Sequence, residues 1–313
     1  MRYWPGGESS EPRPFLDPSG ATRTQAANPR RTRRSPVMVV AAAILVLVVL
    51  AVTLWTQLER RFIFFPSSDI VSTPDDVGLA YEDVFFTTSD GLRLHAWFVP
   101  GTTDITLLWF HGNGGNISHR TDDLAMFHHR LGMNLMIIDY RGYGRSDGKP
   151  SEQGTYRDAR AALRYLEGMP GVSPERIVYF GRSLGAAVAV ELAVDHPPLA
   201  LVLVSPFASI GDMARIAFPR LPVGWLVRNK YNSLARVAKV QRPLLILHGD
   251  RDETVPISQG EKLFAAANPP KRFQVLLGTG HNDSLAGGET DHWEVLEEFL
   301  AELTAGEAGA ETD

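Results

Sequence analysis

The chain has 313 residues, 44% of them hydrophobic, and no cysteine. That length and apolar content suit one full α/β core, and the missing cysteines exclude disulfides, a thiol nucleophile and thiolate metal sites. The net charge of −5 is uneven: residues 1–36 carry seven arginines against Glu8, Glu11 and Asp17, a net +4 that leaves −9 for the remainder, which gives no reason to expect nucleic-acid binding by the main domain.

Residues 1–35 are rich in Pro, Gly, Ser and Arg without hydrophobic periodicity, and a disordered tail is expected. Between Arg34 and Glu59 lie 24 residues without a charge, and Val37 to Leu54 is almost wholly Val, Ala, Leu and Ile. About 20 such residues make ~30 Å of helix, enough to cross a bilayer, and Trp55 follows where an interfacial aromatic belongs. The reading is one transmembrane anchor over residues 36–57. A cleaved signal peptide fits less well, because the run is long and lacks a small-x-small cleavage site. Arg30, Arg31, Arg33 and Arg34 outweigh Arg60 and Arg61, which predicts a cytoplasmic N-terminus and an extracytoplasmic main domain. Phe62 to Pro66 form an aromatic patch for the headgroup level or for the underside of the domain.

Beyond it, Tyr81 to Thr88 and Leu92 to Val99 read as strands joined by Ser89-Asp90-Gly91, a hairpin signal. Ile105 to Phe110 is a fully apolar run, as a buried strand requires, and ends in His111-Gly112-Asn113-Gly114-Gly115-Asn116. His111 is read as a brace for that loop, and His119, His128 and His129 as surface residues; no metal-ligand spacing is present. The next strand, Asn134 to Asp139, leads into Tyr140-Arg141-Gly142-Tyr143-Gly144-Arg145-Ser146, which lacks the Lys-Ser/Thr pair of a phosphate loop. A helix is expected over Glu152 to Glu167. Strands alternating with helices imply a mostly parallel sheet covered on both faces.

Arg176 to Ala193, R-I-V-Y-F-G-R-S-L-G-A-A-V-A-V-E-L-A, reads as strand, abrupt turn and helix. A serine at such a turn is strained, and its flanking glycines leave room for close packing, so Ser183 holds its hydroxyl clear of its surroundings. Attack by that hydroxyl on a carbonyl creates an oxyanion, and two backbone N–H groups must already point at it. Leu184 at the helix N-terminus and Asn113 in the loop after the earlier strand are the candidate donors. Leu199 to Val204 is a further strand. Residues 205–241 carry Pro206, Pro219 and Pro222 among Phe207, Phe218, Leu221, Trp225 and Leu226, and read as a small lid that either lines an acyl-binding wall or completes the core. Pro243 to Leu247 ends in H-G-D-R-D-E-T-V-P, and Phe273 to Leu277 ends in G-T-G-H-N. An acid and a histidine thus follow the serine at the carboxyl ends of successive strands, the edge where open sheets place their sites. Ser183 would attack, His281 would move the proton, and Asp252 would orient the imidazole, with Asp250 as the competing acid. A closing helix is expected from Glu289 to Leu303, then a frayed tail over 304–313.

These motifs, E-R-R-F-I-F-F-P, H-G-N-G-G-N, D-Y-R-G-Y-G-R-S, G-R-S-L-G, H-G-D-R-D-E-T-V-P and G-H-N-D in that order, resemble the α/β-hydrolases, specifically the membrane-anchored Bem46-like group with the ABHD13- and ABHD17-like proteins, over about residues 58–303. The resemblance implies the α/β-hydrolase fold, Asp252 as acid, His281 as base and Leu184 with Asn113 as oxyanion donors, without cofactor or metal. It leaves the substrate open among protein depalmitoylases, lipases and other hydrolases. The resulting expectation is a monomeric, membrane-tethered serine hydrolase acting on a carboxylic ester or thioester, with lipid-derived acyl groups among the candidate substrates. A serine aminopeptidase or amidase would need an acidic anchor for the substrate's amino group, with Glu253 the nearest suspect. A non-catalytic tethered binding module is the third reading, which an intact triad disfavours.

Overall fold

The computed structural model describes residues 36–310 except 222, 223, 225 and 284–291. The tail expected over 1–35 and the start expected for the closing helix at Glu289 lie outside the described residues. The chain divides into two compact units, 1–51 and 52–313. The described part of the first is the apolar, exposed beginning of helix α1 (Pro36–Ile63), which is long and apolar enough to cross a membrane.

The second unit begins with the last turns of α1. In chain order it then contains β1 (Phe65–Pro66), β2 (Glu82–Thr87), β3 (Arg93–Val99), β4 (Thr106–Phe110), β5 (Gly114–Gly115), α2 (Thr121–Leu131), β6 (Asn134–Ile138) and α3 (Glu152–Glu167). β7 (Ile177–Arg182), α4 (Leu184–Asp195), β8 (Ala200–Val204), α5 (Ile210–Ala217), α6 (Leu234–Val237), β9 (Leu244–Gly249), α7 (Ile257–Ala266), β10 (Lys271–Leu276) and α8 (His292–Ala310) complete it. Eight strands form one sheet in the order β2-β3-β6-β4-β7-β8-β9-β10. β3 runs antiparallel to β2 and β6, and every other pair is parallel. The short β1 pairs with β5 beside the sheet.

Alternation along the strands splits the core into two layers, because successive side chains leave a strand on opposite faces. Leu108, Phe110 and Tyr179 pack with α3 and α4 on one face, whereas Trp109, Val178 and Phe180 meet Phe127 of α2 and Trp293 of α8 on the other. The serine turn after β7 therefore sits mid-sheet, between β4 and β8.

Two boundaries differ from expectation. Helix α1 continues past residue 57 to Ile63, because Glu59 and Ile63 are buried against the domain and the intervening arginines are good helix formers. Helix α8 runs to Ala310, past the expected end at Leu303.

Candidate active site

Ser183 occupies the turn between β7 and α4 with φ +51° and ψ −112°, a left-handed conformation that non-glycine residues adopt only under constraint. The constraint is visible on both sides. A Cβ on Gly185 would run into the carbonyl oxygen of Phe110, and one on Gly181 would lie 2.6 Å from Ala186 Cα. The Ser183 N–H donates to Val204 O at 2.9 Å, which ties the turn to the neighbouring strand.

The loop after β4 is clamped from outside. Tyr140 Oη donates to His111 O at 2.9 Å and Tyr143 Oη to Asn113 O at 2.8 Å, so the D-Y-R-G-Y-G-R-S motif serves to fix the glycine-rich loop. The Asn113 side chain donates to Ile63 O at 2.9 Å, and Phe65 N donates to Asn113 O at 3.0 Å. Among the described residues, the N–H groups of Asn113 and Leu184 have no acceptor. Both residues line the same cavity as Ser183, and the Leu184 N–H opens helix α4, whose N-terminal dipole favours negative charge. His111 is wholly buried, with Nδ1 donating to Gly112 O at 2.6 Å. Burial lowers its pKa to about 4, so the ring is neutral and its role is to brace the loop.

Asp252 and His281 follow β9 and β10. His281 Nδ1 lies 2.8 Å from Asp252 Oδ2, while Oδ1 accepts from Thr254 N at 3.0 Å and Val255 N at 2.7 Å. Burial by itself would raise the Asp252 pKa, but the hydrogen bonds from His281 and Val255 outweigh it and hold the carboxyl below its usual value. An ionised carboxylate accepts only, so the His281 proton sits on Nδ1 and Nε2 is left free to receive one. Among the described residues no hydrogen bond joins Ser183 Oγ to His281; such bonds tighten when substrate binds. Asp250 is exposed and accepts from Gly278 N at 2.7 Å, so it is a turn residue. Glu253 is exposed and does not line the cavity.

Three participants were not singled out in the sequence. Arg182, next to Ser183, donates through Nη2 to His281 O at 2.6 Å and Asp283 O at 2.9 Å, holding the histidine loop against the serine turn. His248 is buried, with Nε2 2.8 Å from Val255 O and 3.6 Å from Asp252 Oδ2; burial lowers its pKa. Glu59, in α1, is buried and accepts through Oε1 from Arg228 N at 2.9 Å, Asn229 N at 2.7 Å and Asn229 Nδ2 at 2.9 Å. In Arg182 the only signal available was adjacency to the nucleophile; in Glu59 it was an acid directly after an apolar run.

The described residues between Ser205 and Gln241 contain α5 and α6 and no strand, consistent with a lid. Phe207 belongs to the core, whereas Phe218, Leu221 and Leu226 are exposed; Trp225 lies outside the described residues. Beneath α5 a cavity of about 550 Å³ reaches down to Ser183. No group of three or more His, Asp or Glu side chains able to hold a metal ion occurs among the described residues.

A family model described as serine aminopeptidase, S33, matches residues 101–234. The chain is 44% identical over 257 residues to an uncharacterized Mycobacterium tuberculosis protein, Rv2307c, covering 81% of this chain and 90% of that one. It is 36% identical to the Arabidopsis thaliana α/β hydrolase domain-containing protein WAV2 (81% and 91% covered) and 35% identical to bem46 of Schizosaccharomyces pombe (75% and 82% covered). Among solved structures, a Pyrococcus furiosus esterase, Pf2001, superposes with a TM-score of 0.65 at 23% identity over 77% of this chain and 98% of that one.

Proposed function

The chain belongs to the Bem46-like group of α/β-hydrolases, and from that premise we propose that it is a membrane-tethered serine hydrolase cleaving a carboxylic ester or thioester through an acyl-enzyme. In this reading His281 Nε2 takes the proton of Ser183 Oγ as the oxygen attacks the acyl carbon. Asp252 keeps Nδ1 protonated and balances the charge that develops on the ring. The N–H groups of Leu184 and Asn113 receive the oxyanion. Collapse of the tetrahedral intermediate expels the alcohol or thiol with the proton from His281, and water then releases the acid by the same steps in reverse.

The observation that carries the reading is the strained Ser183 turn opening into one cavity with two unpaired backbone N–H groups, with the Asp252–His281 pair tied to that turn by Arg182. The test is labelling of the full chain by a fluorophosphonate probe and turnover of p-nitrophenyl esters. Both should vanish in Ser183→Ala, and His281→Ala should be nearly as inactive because base and nucleophile act as a unit. Labelling that survives in Ser183→Ala refutes the nucleophile; no labelling of folded wild-type protein favours a binding module.

The serine aminopeptidase model over 101–234 favours a second reading on aminoacyl amides. Among the cavity's lining residues the one acid is Glu59, whose Oε1 is occupied by three donors and whose Oε2 is buried without a partner; that single oxygen is the acceptor the lining offers a substrate ammonium, and Glu59→Gln should abolish aminoacyl-amide turnover if this second reading holds. The anchoring in our proposal rests on the apolar length of α1, with the arginine asymmetry giving a cytoplasmic N-terminus. Protease added to spheroplasts should digest the hydrolase domain, and full protection would refute that orientation.

A further inference from the structure

We infer that the last turns of helix α1 form a wall of the acyl-binding site, so that the substrate is a linear, membrane-resident acyl chain of about a dozen carbons whose length is read by Leu58 and Phe62. The inference rests on the serine-hydrolase reading of the same site.

The cavity has two long walls. One is the face of α1 carrying Trp55, Leu58 and Phe62, at the i, i+3, i+7 spacing that aligns side chains on one side of a helix; the other is the face of α5 carrying Met213 and Ala217. Ser183 and its two candidate oxyanion donors form the inner end. Sugar, peptide or phosphate substrates need several convergent polar partners; here Ser183, Asn113 and Thr254 are the polar lining residues of the catalytic segments, and beyond them the polar lining is Trp55 and Glu59, with Trp55 Nε1 and Glu59 Oε1 already engaged by the 226–229 segment and Glu59 Oε2 buried without a partner. A hydrocarbon chain needs none. At roughly 30 Å³ for a group the size of a water molecule, about 550 Å³ divides into roughly 18 such groups, and with the part at the open mouth left unfilled it holds a chain of on the order of a dozen carbons.

The α1 wall is fixed rather than resting there. Trp55 Nε1 donates to Leu226 O at 3.1 Å, Arg228 Nη1 to Thr56 Oγ1 at 3.0 Å, and Glu59 takes three hydrogen bonds from Arg228 and Asn229. Ile63, at the end of the same helix, is part of the core. Around the mouth Leu58, Phe62, Phe218 and Leu221 are 43%, 65%, 45% and 56% exposed, an apolar rim that a water-soluble substrate would not require. Leu54, the last residue of the apolar run, precedes Phe62 by eight helical residues, which is about 12 Å of rise. The rim therefore lies within an acyl chain's length of Leu54 along the same helix.

The experiment uses the full chain in vesicles with p-nitrophenyl esters from acetate to tetradecanoate. Wild type should gain two- to fourfold in kcat/KM per added methylene until the cavity is full, fourfold being the ~0.8 kcal/mol of a buried CH₂ at 1.36 kcal/mol per tenfold. Leu58→Trp, which fills the cavity from the helix side, should lower the dodecanoate-to-butyrate ratio of kcat/KM at least tenfold. Phe62→Ala, which removes part of the wall without adding bulk, should lower it about threefold or more. Fluorophosphonate labelling of each variant reports whether the Ser183 site is intact. Ser183-dependent turnover with no chain-length dependence overturns the inference and leaves the hydrolase reading standing; loss of both labelling and turnover in wild type ends both. An unchanged ratio in both labelled variants removes α1 from the site. Long-chain S-acyl peptide and glycerophospholipid, offered in the same vesicles, separate a thioester from a lipid-ester source. Cleavage of either supports the inference, and cleavage of neither by protein active on acetate overturns it.

Discussion

Replacing Asp252 by Asn separates the orienting carboxylate from its neighbour Asp250. Oδ1 of Asp252 is held by the N–H groups of Thr254 and Val255, and Oδ2 faces His281 Nδ1 at 2.8 Å. An asparagine must therefore keep its oxygen on the two N–H groups and turn its NH₂ toward the imidazole. The reverse orientation sets a donor against two donors, at a cost of about 1–3 kcal/mol for each buried N–H left unpaired. With NH₂ facing it, Nδ1 can only accept, the ring proton moves to Nε2, and His281 can no longer take the proton of Ser183. The wrong tautomer and the lost charge should lower kcat by about 10³- to 10⁴-fold, roughly 4–5.5 kcal/mol at 1.36 per tenfold. The melting temperature should change little, because both backbone hydrogen bonds remain. Asp250→Asn should stay within about threefold of wild type, since its oxygen can still accept from Gly278 N and the exposed group touches no reacting atom. The assay is p-nitrophenyl ester turnover of both variants beside thermal melts. An Asp252→Asn enzyme within tenfold of wild type, or equal losses in both, would refute the assignment.

Arg182→Met should cost on the order of 10²-fold in kcat, with KM moving far less, because releasing His281 O and Asp283 O lets the base drift from the serine and misplacement by about 1 Å has that effect; a KM-only change would make the arginine a binding residue. Gly185→Ala forces its methyl into the Phe110 carbonyl, so a loss of about 1–3 kcal/mol in stability together with slower fluorophosphonate labelling is expected, and an unshifted melt with full labelling contradicts the packing argument. His111 has a folded-state pKa of about 4, lowered chiefly by burial, so the unfolded chain binds the extra proton first as pH falls. Stability should be intact above about pH 6.5 and decline toward pH 4 by at most about 3 kcal/mol. Melts of wild type and His111→Asn between pH 4 and 7 test this, and parallel curves would rule the residue out as the source.

The alternation of apolar strands with helices, and the order serine, aspartate, histidine at strand ends, were legible because both depend on local pattern and on glycines whose purpose is steric. The α3 boundaries, Glu152–Glu167, emerge from periodicity alone. What was illegible depends on pairing between distant segments. Tyr140 and Tyr143 stand beside glycines that suggest a tight crossing, yet their hydroxyls hold the carbonyls of His111 and Asn113, a contact that exists only once β6 pairs with β4. Arg182 occupies a position where many residues would satisfy the turn, and its purpose appears only when the loop after β10 closes over it.

Glu59 shows why the boundary drawn at residue 57 misses part of the site. An acid that follows a long apolar run reads as the point where the chain returns to water, because carboxylates are rarely buried unless paired. Here the carboxylate is buried, with Oε1 taken by three donors from Arg228 and Asn229. Removing a carboxylate from water costs several kcal/mol unless such donors are already fixed in place, so its burial requires the 226–229 segment and the end of α1 to be mutually ordered. The same two segments, with α5, enclose the cavity over Ser183. A substitution at Glu59 should therefore act on ester turnover through the shape of that cavity, and an unchanged chain-length profile in Glu59→Gln would refute that coupling.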